Sequence, residues 1–390
     1  MKLRLCVAVI AVLALPAARA STSTVPGLVY TPGYGNSIVT GYDPETLARS
    51  GPRVRLGGNA NSWSWSPQRR YLAVASYPQR LSLIDARSLR VLARVRLAAG
   101  GGVARAVTWL SRARVAALID TPRGVLLSVV DTAAGRVVGR ALIPGTVALE
   151  FDRVPGGLVF LAGARSRMAP VRLATVDAEG MVRTTTIAQV PAGLAVRPSG
   201  DRVRQDPGLA IDPRARKAYV ATEDRIFTVD LRRLTVSDPG PLRTLAKVSS
   251  GSTRTAEWLG NGLIAVSGWN WDRQSGNTPA GLRIVEARSW TARVVDRAAS
   301  SFTWSGGRLL VERAASGRAL GVTAYGLDGR ELYRIELTGA NWLKKQGRLG
   351  YACRQAFLRS VVDLSNGRTT RTGFPAGTRC PTLLTDDSRG

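Results

Sequence analysis

Residues 211–230 read IDPRARKAYVATEDRIFTVD, and this stretch decides the fold. Ile211 leads into a polar turn at Asp212 and Pro213, and the apolar run Ala218 to Ala221 follows. After Glu223 and Asp224 comes a second apolar run, Ile226 to Val229, which stops at Asp230 before another turn. Short apolar runs bounded by turn residues read as strands, not helices. Working outward, an aromatic or aliphatic residue, a polar turn and an apolar run recur at Trp65 (WSPQRRYLAVAS), Trp109 (WLSRARVAALI) and Phe151 (FDRVPGGLVFLAG). They recur again at Trp258 (WLGNGLIAVSG), Trp304 (WSGGRLLVE) and Trp342 (WLKKQGRLGYAC).

A second marker is a strand that ends in an acidic residue before a tight turn. It stands at Asp43, Asp85, Asp131, Asp177, Asp230, Glu286 and Asp363, with Gly326 at the degenerate place. The mean spacing near 46 residues is that of a four-stranded blade unit. The chain is therefore expected to be all-β, a β-propeller with eight blades, or seven as the alternative. In the fourth strands Arg53 and Arg55 alternate with Val54 and Leu56, and Arg94 and Arg96 with Val95 and Leu97, as suits an outermost strand that must resist edge pairing. The amino-terminal unit lacks a first strand, whereas Pro381 to Gly390 resembles a first strand with nothing after it. Strands from both termini are expected to close the ring. The recurrent tryptophans are assigned to packing between blades, and the recurrent acids to capping their own turns.

The 211–230 stretch resembles the repeat of the YVTN-type surface-layer propellers, with Tyr219-Val220-Ala221-Thr222 in place of the signature. The weaker copies extend the similarity over most of the chain. The resemblance implies a propeller and carries little about activity, because propellers host many functions. Calcium-dependent hydrolases and quinone-dependent dehydrogenases share the general fold. An enzyme of that kind, with oxygen ligands from Glu223, Asp224 and Asp120, is one alternative, and a purely structural surface protein is another.

The chain of 390 residues contains no histidine, which removes Ser-His-Asp and Cys-His catalysis and histidine metal ligation. No catalytic residue, metal ligand set or cofactor motif is assigned. Gly100-Gly101-Gly102 has no following helix to make a phosphate or dinucleotide loop. Basic residues number 55 against 27 acidic, and lysine occurs only at Lys2, Lys217, Lys247, Lys344 and Lys345, so the excess is arginine. Either GC-rich coding with solvated guanidinium groups or attraction to polyanions explains it.

Residues 1–20 read as a signal peptide. Lys2 and Arg4 precede an apolar run from Leu5 to Leu15 that is too short to span a bilayer, and Ala18-Arg19-Ala20 is a cleavage pattern. Residues 21–390 then form one propeller domain, exported to the cell surface or extracytoplasmic space, and no later stretch resembles a membrane span. Loss of Lys2, Arg4 and Arg19 leaves a net charge of +25. The two remaining thiols, Cys353 and Cys380, are expected to form a disulfide that staples the ring closure.

In a four-stranded blade the connections from second to third strand, and from the fourth to the next first strand, share one face. The two longest insertions, residues 190–208 and 268–281, both fall there. Long loops on a rigid scaffold are where binding usually resides. Trp269, Asn270, Trp271, Asp272 and Arg273 place aromatic planes beside amide and guanidinium groups, which suits a glycan, unless one indole folds over its own loop. Arg197, Arg202 and Arg204 suit a carboxylate or phosphate, unless they pair with Asp201 and Asp206. The expected role is an exported binding or scaffold protein. Its partner is an anionic envelope polymer, a glycan or another extracytoplasmic protein, and export disfavours nucleic acid.

Overall fold

The computed structural model describes residues 28–31, 38–42, 47, 49–86, 88–196, 202–237, 251–272, 276–315, 318–336, 342–346, 348–354, 357–374, 380 and 382–383. The expected leader, residues 1–20, lies outside them. The described residues contain strands and no helix.

They form six four-stranded sheets and one of ten strands. Each four-stranded sheet but the one at the seam is an antiparallel meander of consecutive strands, as in Ala60–Trp65, Tyr71–Ser76, Arg80–Asp85 and Val91–Arg96. The ten-stranded sheet contains two such meanders. One is Thr146–Val154, Gly157–Ala164, Ala169–Val176 and Val182–Val196, and the other is Gly251–Gly260, Leu263–Asp272, Leu282–Glu286 and Ala292–Asp296.

Burial explains why these sequences are strands. The second strand Tyr71–Ser76 is buried at nearly every position, because a neighbouring sheet covers each of its faces. The outermost strand Val91–Arg96 alternates, with Arg94 and Arg96 exposed and Val95 buried. Consecutive sheets share apolar clusters: Leu81, Leu83 and Val95 of one pack with Val107, Ile119 and Val130 of the next. Of the recurrent tryptophans, Trp109 belongs to that core and Trp65, Trp258 and Trp304 pack against others.

The acidic turns act as caps. Asp85, Asp131, Asp177, Asp230 and Asp363 each accept backbone N–H groups of their own turn at 2.8–3.1 Å. The backbone donors of Arg233 and Arg232 hold the Asp230 carboxyl below its ordinary range, as the hydroxyl and backbone of Ser365 do for Asp363.

At the seam, Thr382–Leu383 pairs antiparallel with Leu28–Thr31, so both termini supply one sheet. Cys353, at the end of the second strand Leu349–Arg354 of the adjoining sheet, is disulfide-bonded to Cys380 with their Cα atoms 5.8 Å apart. The bond constrains 27 residues of sequence separation and ties the last strand to its neighbour. Replacing both cysteines by alanine should lower the unfolding free energy by about 3 kcal/mol. Urea unfolding of the oxidised protein and the variant would measure this, and equal midpoints would refute it.

Candidate functional site

The two long insertions are not loops. Strand Val182–Val196 overshoots its sheet and folds back on Arg202–Asp206, pairing Gly193 with Gln205 and Val196 with Arg202. Leu263–Asp272 also overshoots and pairs with Gly276–Pro279, setting Trp269 opposite Pro279 and Trp271 opposite Asn277. Both segments are therefore hairpin extensions, which corrects the loop expectation. The strand Gly251–Gly260 joins them. Its Ser252 lies beside Gln205 in a parallel pair on one side and opposite Asn270 on the other.

A cleft of about 340 Å³ opens beside this junction. Gln189, Gln205 and Asp206 line it from the first hairpin, Ser252 from the strand between the two hairpins, and Thr222, Glu223, Asp224 and Arg225 from the turn joining Lys217–Ala221 to Ile226–Asp230. Pro191, Pro207 and Phe227 supply its apolar wall. The turn is self-supporting: the Arg225 N–H donates to Thr222 Oγ1 at 3.1 Å, and the Thr222 hydroxyl donates to the Arg225 carbonyl at 3.0 Å. Burial pushes the Asp206 carboxyl up from its ordinary range, and its ion pair with Arg204 opposes that shift.

Behind the cleft stands Arg254, only 2% exposed. Its Nη1 donates to the carbonyls of Thr253 and Trp269, each at 2.9 Å, and its Nη2 donates to Asn270 Oδ1 at 2.7 Å. Burial lowers its pKa to about 10, with Glu223 and Asp224 opposing the shift and Arg283 adding to it, so it is charged at neutral pH. A guanidinium only donates, so Asn270 must turn its oxygen to Arg254 and its amide N–H₂ group away. Arg254 thus fixes both hairpin backbone and the one carboxamide of the predicted aromatic cluster.

The predicted site residues divide. Arg204 pairs with Asp206, the intraloop alternative, at the edge of the cleft. Strand alternation places Trp269 and Trp271 on the face opposite Asn270, and neither indole lines the cleft. The expected aromatic platform beside Asn270 is therefore split across the strand. Arg202 and Asp272 occupy strand positions, while Arg197, Asp201 and Arg273 lie outside the described residues. Asp120 belongs to a different sheet from Glu223 and Asp224. Its Oδ1 accepts the Ala148 N–H at 2.8 Å and its Oδ2 pairs with Arg105 at 2.6 Å, clamping one sheet to the next. Among the described residues no cluster of three or more metal-ligating side chains forms.

A smaller cleft of about 220 Å³ at the opposite end contains Ser64, Trp109 and Arg153. There Arg153 Nη2 donates to the carbonyls of Trp63 and Val107, at 3.1 and 3.0 Å, binding three neighbouring first strands together. Its role is structural.

With the geometry in hand, the chain can be set beside known proteins. No protein-family model matches it, and no curated protein sequence matches it. Among solved structures it is similar to dihydro-heme d1 dehydrogenase NirN in complex with DHE, with a TM-score of 0.62 at 13% identity over 95% of this chain and 76% of that one. It is also similar to BamB from Moraxella catarrhalis, with a TM-score of 0.50 at 16% identity over 84% of this chain and 88% of that one. The fold is a β-propeller. At these identities the likeness extends to the fold alone. The propeller explains why the second-to-third connection at Thr222–Arg225 and the two hairpins emerge together, since all belong to the same end of the ring.

Proposed function

We propose that the chain is an exported, eight-bladed binding propeller that holds a neutral, hydroxyl-rich glycan in the cleft at its hairpin end. The count of eight takes the ten-stranded sheet as two blades fused through Arg202–Asp206. The cleft lining carries the ligand reading. Carboxylates, amides, hydroxyls and one guanidinium offer both acceptors and donors, as a polyol requires, and Phe227 with two prolines offers apolar contact. Asp206, Glu223 and Asp224 set three carboxyl groups in the wall, which disfavours an anionic polymer at this position despite the positive charge of the whole chain. Export rests on the leader sequence, and the Cys353–Cys380 bond agrees with it.

The test is calorimetric titration of the mature protein with neutral and anionic oligosaccharides at low and high salt. Neutral ligands should bind with little salt dependence. Changing Glu223→Gln together with Asp224→Asn should weaken binding about tenfold to a hundredfold, the loss expected when charged hydrogen-bond acceptors are removed. Binding confined to anionic chains, falling with salt and unchanged in the variant, would overturn the reading.

A further inference from the structure

We infer that the hairpin-end surface around Tyr77, on the three consecutive sheets that begin with Ala60–Trp65, Val103–Trp109 and Thr146–Val154, docks an acidic segment of a partner protein. This surface is separate from the carboxylate-lined cleft, and the inference does not depend on the glycan reading.

The connections at this end of the ring divide by charge. Those of the three sheets, residues 56–59, 77–79, 97–102, 122–123, 145 and 165–168, contain no acidic residue. The turn beside the cleft, by contrast, carries Glu223 and Asp224. Arg123, Arg165 and Arg167 stand in the acid-free connections, Arg80 follows one of them at a strand start, and all four are exposed. Among the described residues no carboxylate pairs with any of the four. Asp120, which lies opposite Val103, is buried and already bonded to Arg105 and to the Ala148 N–H. The surface therefore presents uncompensated guanidinium groups, which attract carboxylates.

Two apolar side chains stand among these arginines. Tyr77 is 57% exposed and Val103 44% exposed. They are neighbours through Gln79, whose carboxamide N–H donates to the carbonyl of Gly102 at 2.7 Å. The turn that presents Tyr77 is held on both sides. Its Tyr77 N–H donates to the Asn59 carbonyl at 2.9 Å, and its Gln79 carbonyl accepts the Leu97 N–H at 2.9 Å. Gln79 is buried and keeps a φ of +35, a conformation that a residue other than glycine retains only where its surroundings enforce it. The basic connections are also tied together: the Gly145 N–H donates to the Arg123 carbonyl at 2.9 Å, and the Arg165 guanidinium donates to the Thr121 carbonyl. Binding on this surface thus orders little that is not ordered already. An exposed aromatic anchor rimmed by arginine is the arrangement in which a few side chains carry most of a protein–protein contact. An anionic polymer would draw on the arginines, whereas the apolar pair needs a partner that also brings a large apolar side chain. An acidic peptide supplies both.

The probe is a synthetic peptide of about twelve residues, glutamates flanking a central pair of leucines, titrated by fluorescence anisotropy at about 0.15 M salt. Tyr77→Ala, and separately the triple variant Arg80→Gln, Arg123→Gln, Arg167→Gln, should each weaken binding more than about tenfold. A control of equal charge, Arg140→Gln, Arg216→Gln, Arg293→Gln, alters arginines exposed elsewhere on the ring and should weaken binding less than about threefold. Tyr77→Phe should bind like the parent protein, and replacing both leucines of the peptide by serine should cost more than about tenfold. Peptide binding should persist in the Glu223→Gln, Asp224→Asn protein, so this inference and the glycan reading fail independently. Equal losses from the two arginine variants, no loss in Tyr77→Ala, or no binding by the parent protein would overturn the inference. So would equal binding of the leucine-free peptide, which would mark the surface as a general polyanion site.

Discussion

Replacing Arg254 by alanine should lower the unfolding free energy by about 3 to 5 kcal/mol and abolish ligand binding at the cleft. The cost has two sources. The Trp269 and Thr253 carbonyls and the Asn270 oxygen lose a charged donor. Glu223 and Asp224, which counter the burial of Arg254, lose a nearby cation. Lysine at this position should recover part of the stability but not the full set of contacts, because one ammonium cannot reproduce the planar fork that reaches Trp269 and Asn270 together. Combining Arg254→Ala with Glu223→Gln should cost less than the sum of the single changes, since the second removes a charge that the first leaves uncompensated. Urea unfolding of the parent protein, the Arg254→Ala, Arg254→Lys and Glu223→Gln variants and the double variant measures each quantity. A single-variant loss below about 1 kcal/mol would show that Arg254 is a solvated surface group, contrary to its enclosure.

The contrast between Arg254 and the aromatic cluster shows what the sequence discloses. Period-two patterning and recurrent turns made the strands and the ring legible, because each blade repeats the same local chemistry around Trp65, Trp109 and Trp258. The seam was legible for a similar reason: an incomplete first unit and a leftover terminal strand are local facts that only ring closure reconciles. The hairpins were not. Residues 193–196 pair with 202–205, and Gln205 also lies beside Ser252, some 47 positions away, in a parallel contact that no local pattern announces. Treated as loops, the insertions let Trp269, Asn270 and Trp271 share a surface, whereas a strand must send them to alternate faces. Arg254 did leave a signal. In GSTRTAEWLG it occupies the buried phase shared by Ser252 and Ala256, where an apolar residue is expected, and a charge at such a position indicates a buried polar network.

The hairpins also depend on two glycines, and Gly268→Ala should destabilise the protein by about 4 kcal/mol, combining backbone strain with a steric clash. Gly268 has φ +148, a conformation that side chains rarely adopt, and a Cβ there would lie 2.0 Å from the Thr253 carbonyl oxygen. The close approach has a purpose. It lets Leu263–Asp272 continue past its own sheet while the Gly268 carbonyl accepts the Ala280 N–H at 2.8 Å, closing the base of the extension. Gly193 holds the matching place in the other hairpin, with φ +122 and a virtual Cβ 2.4 Å from the Ala164 carbonyl oxygen. The comparison is Gly276→Ala at the far end of the hairpin, where φ is +69 but the space around a Cβ is open, and the cost should be about 1 kcal/mol. Thermal unfolding of both variants separates the cases, and equal shifts would mean that the close approach at Gly268 is dispensable. Because Gly268 pairs directly with Arg254, relief of the clash must move the strand that carries Asn270. Gly268→Ala and Arg254→Ala should therefore be strongly non-additive, and glycan binding should fall in the first variant even at temperatures where the rest of the ring remains folded.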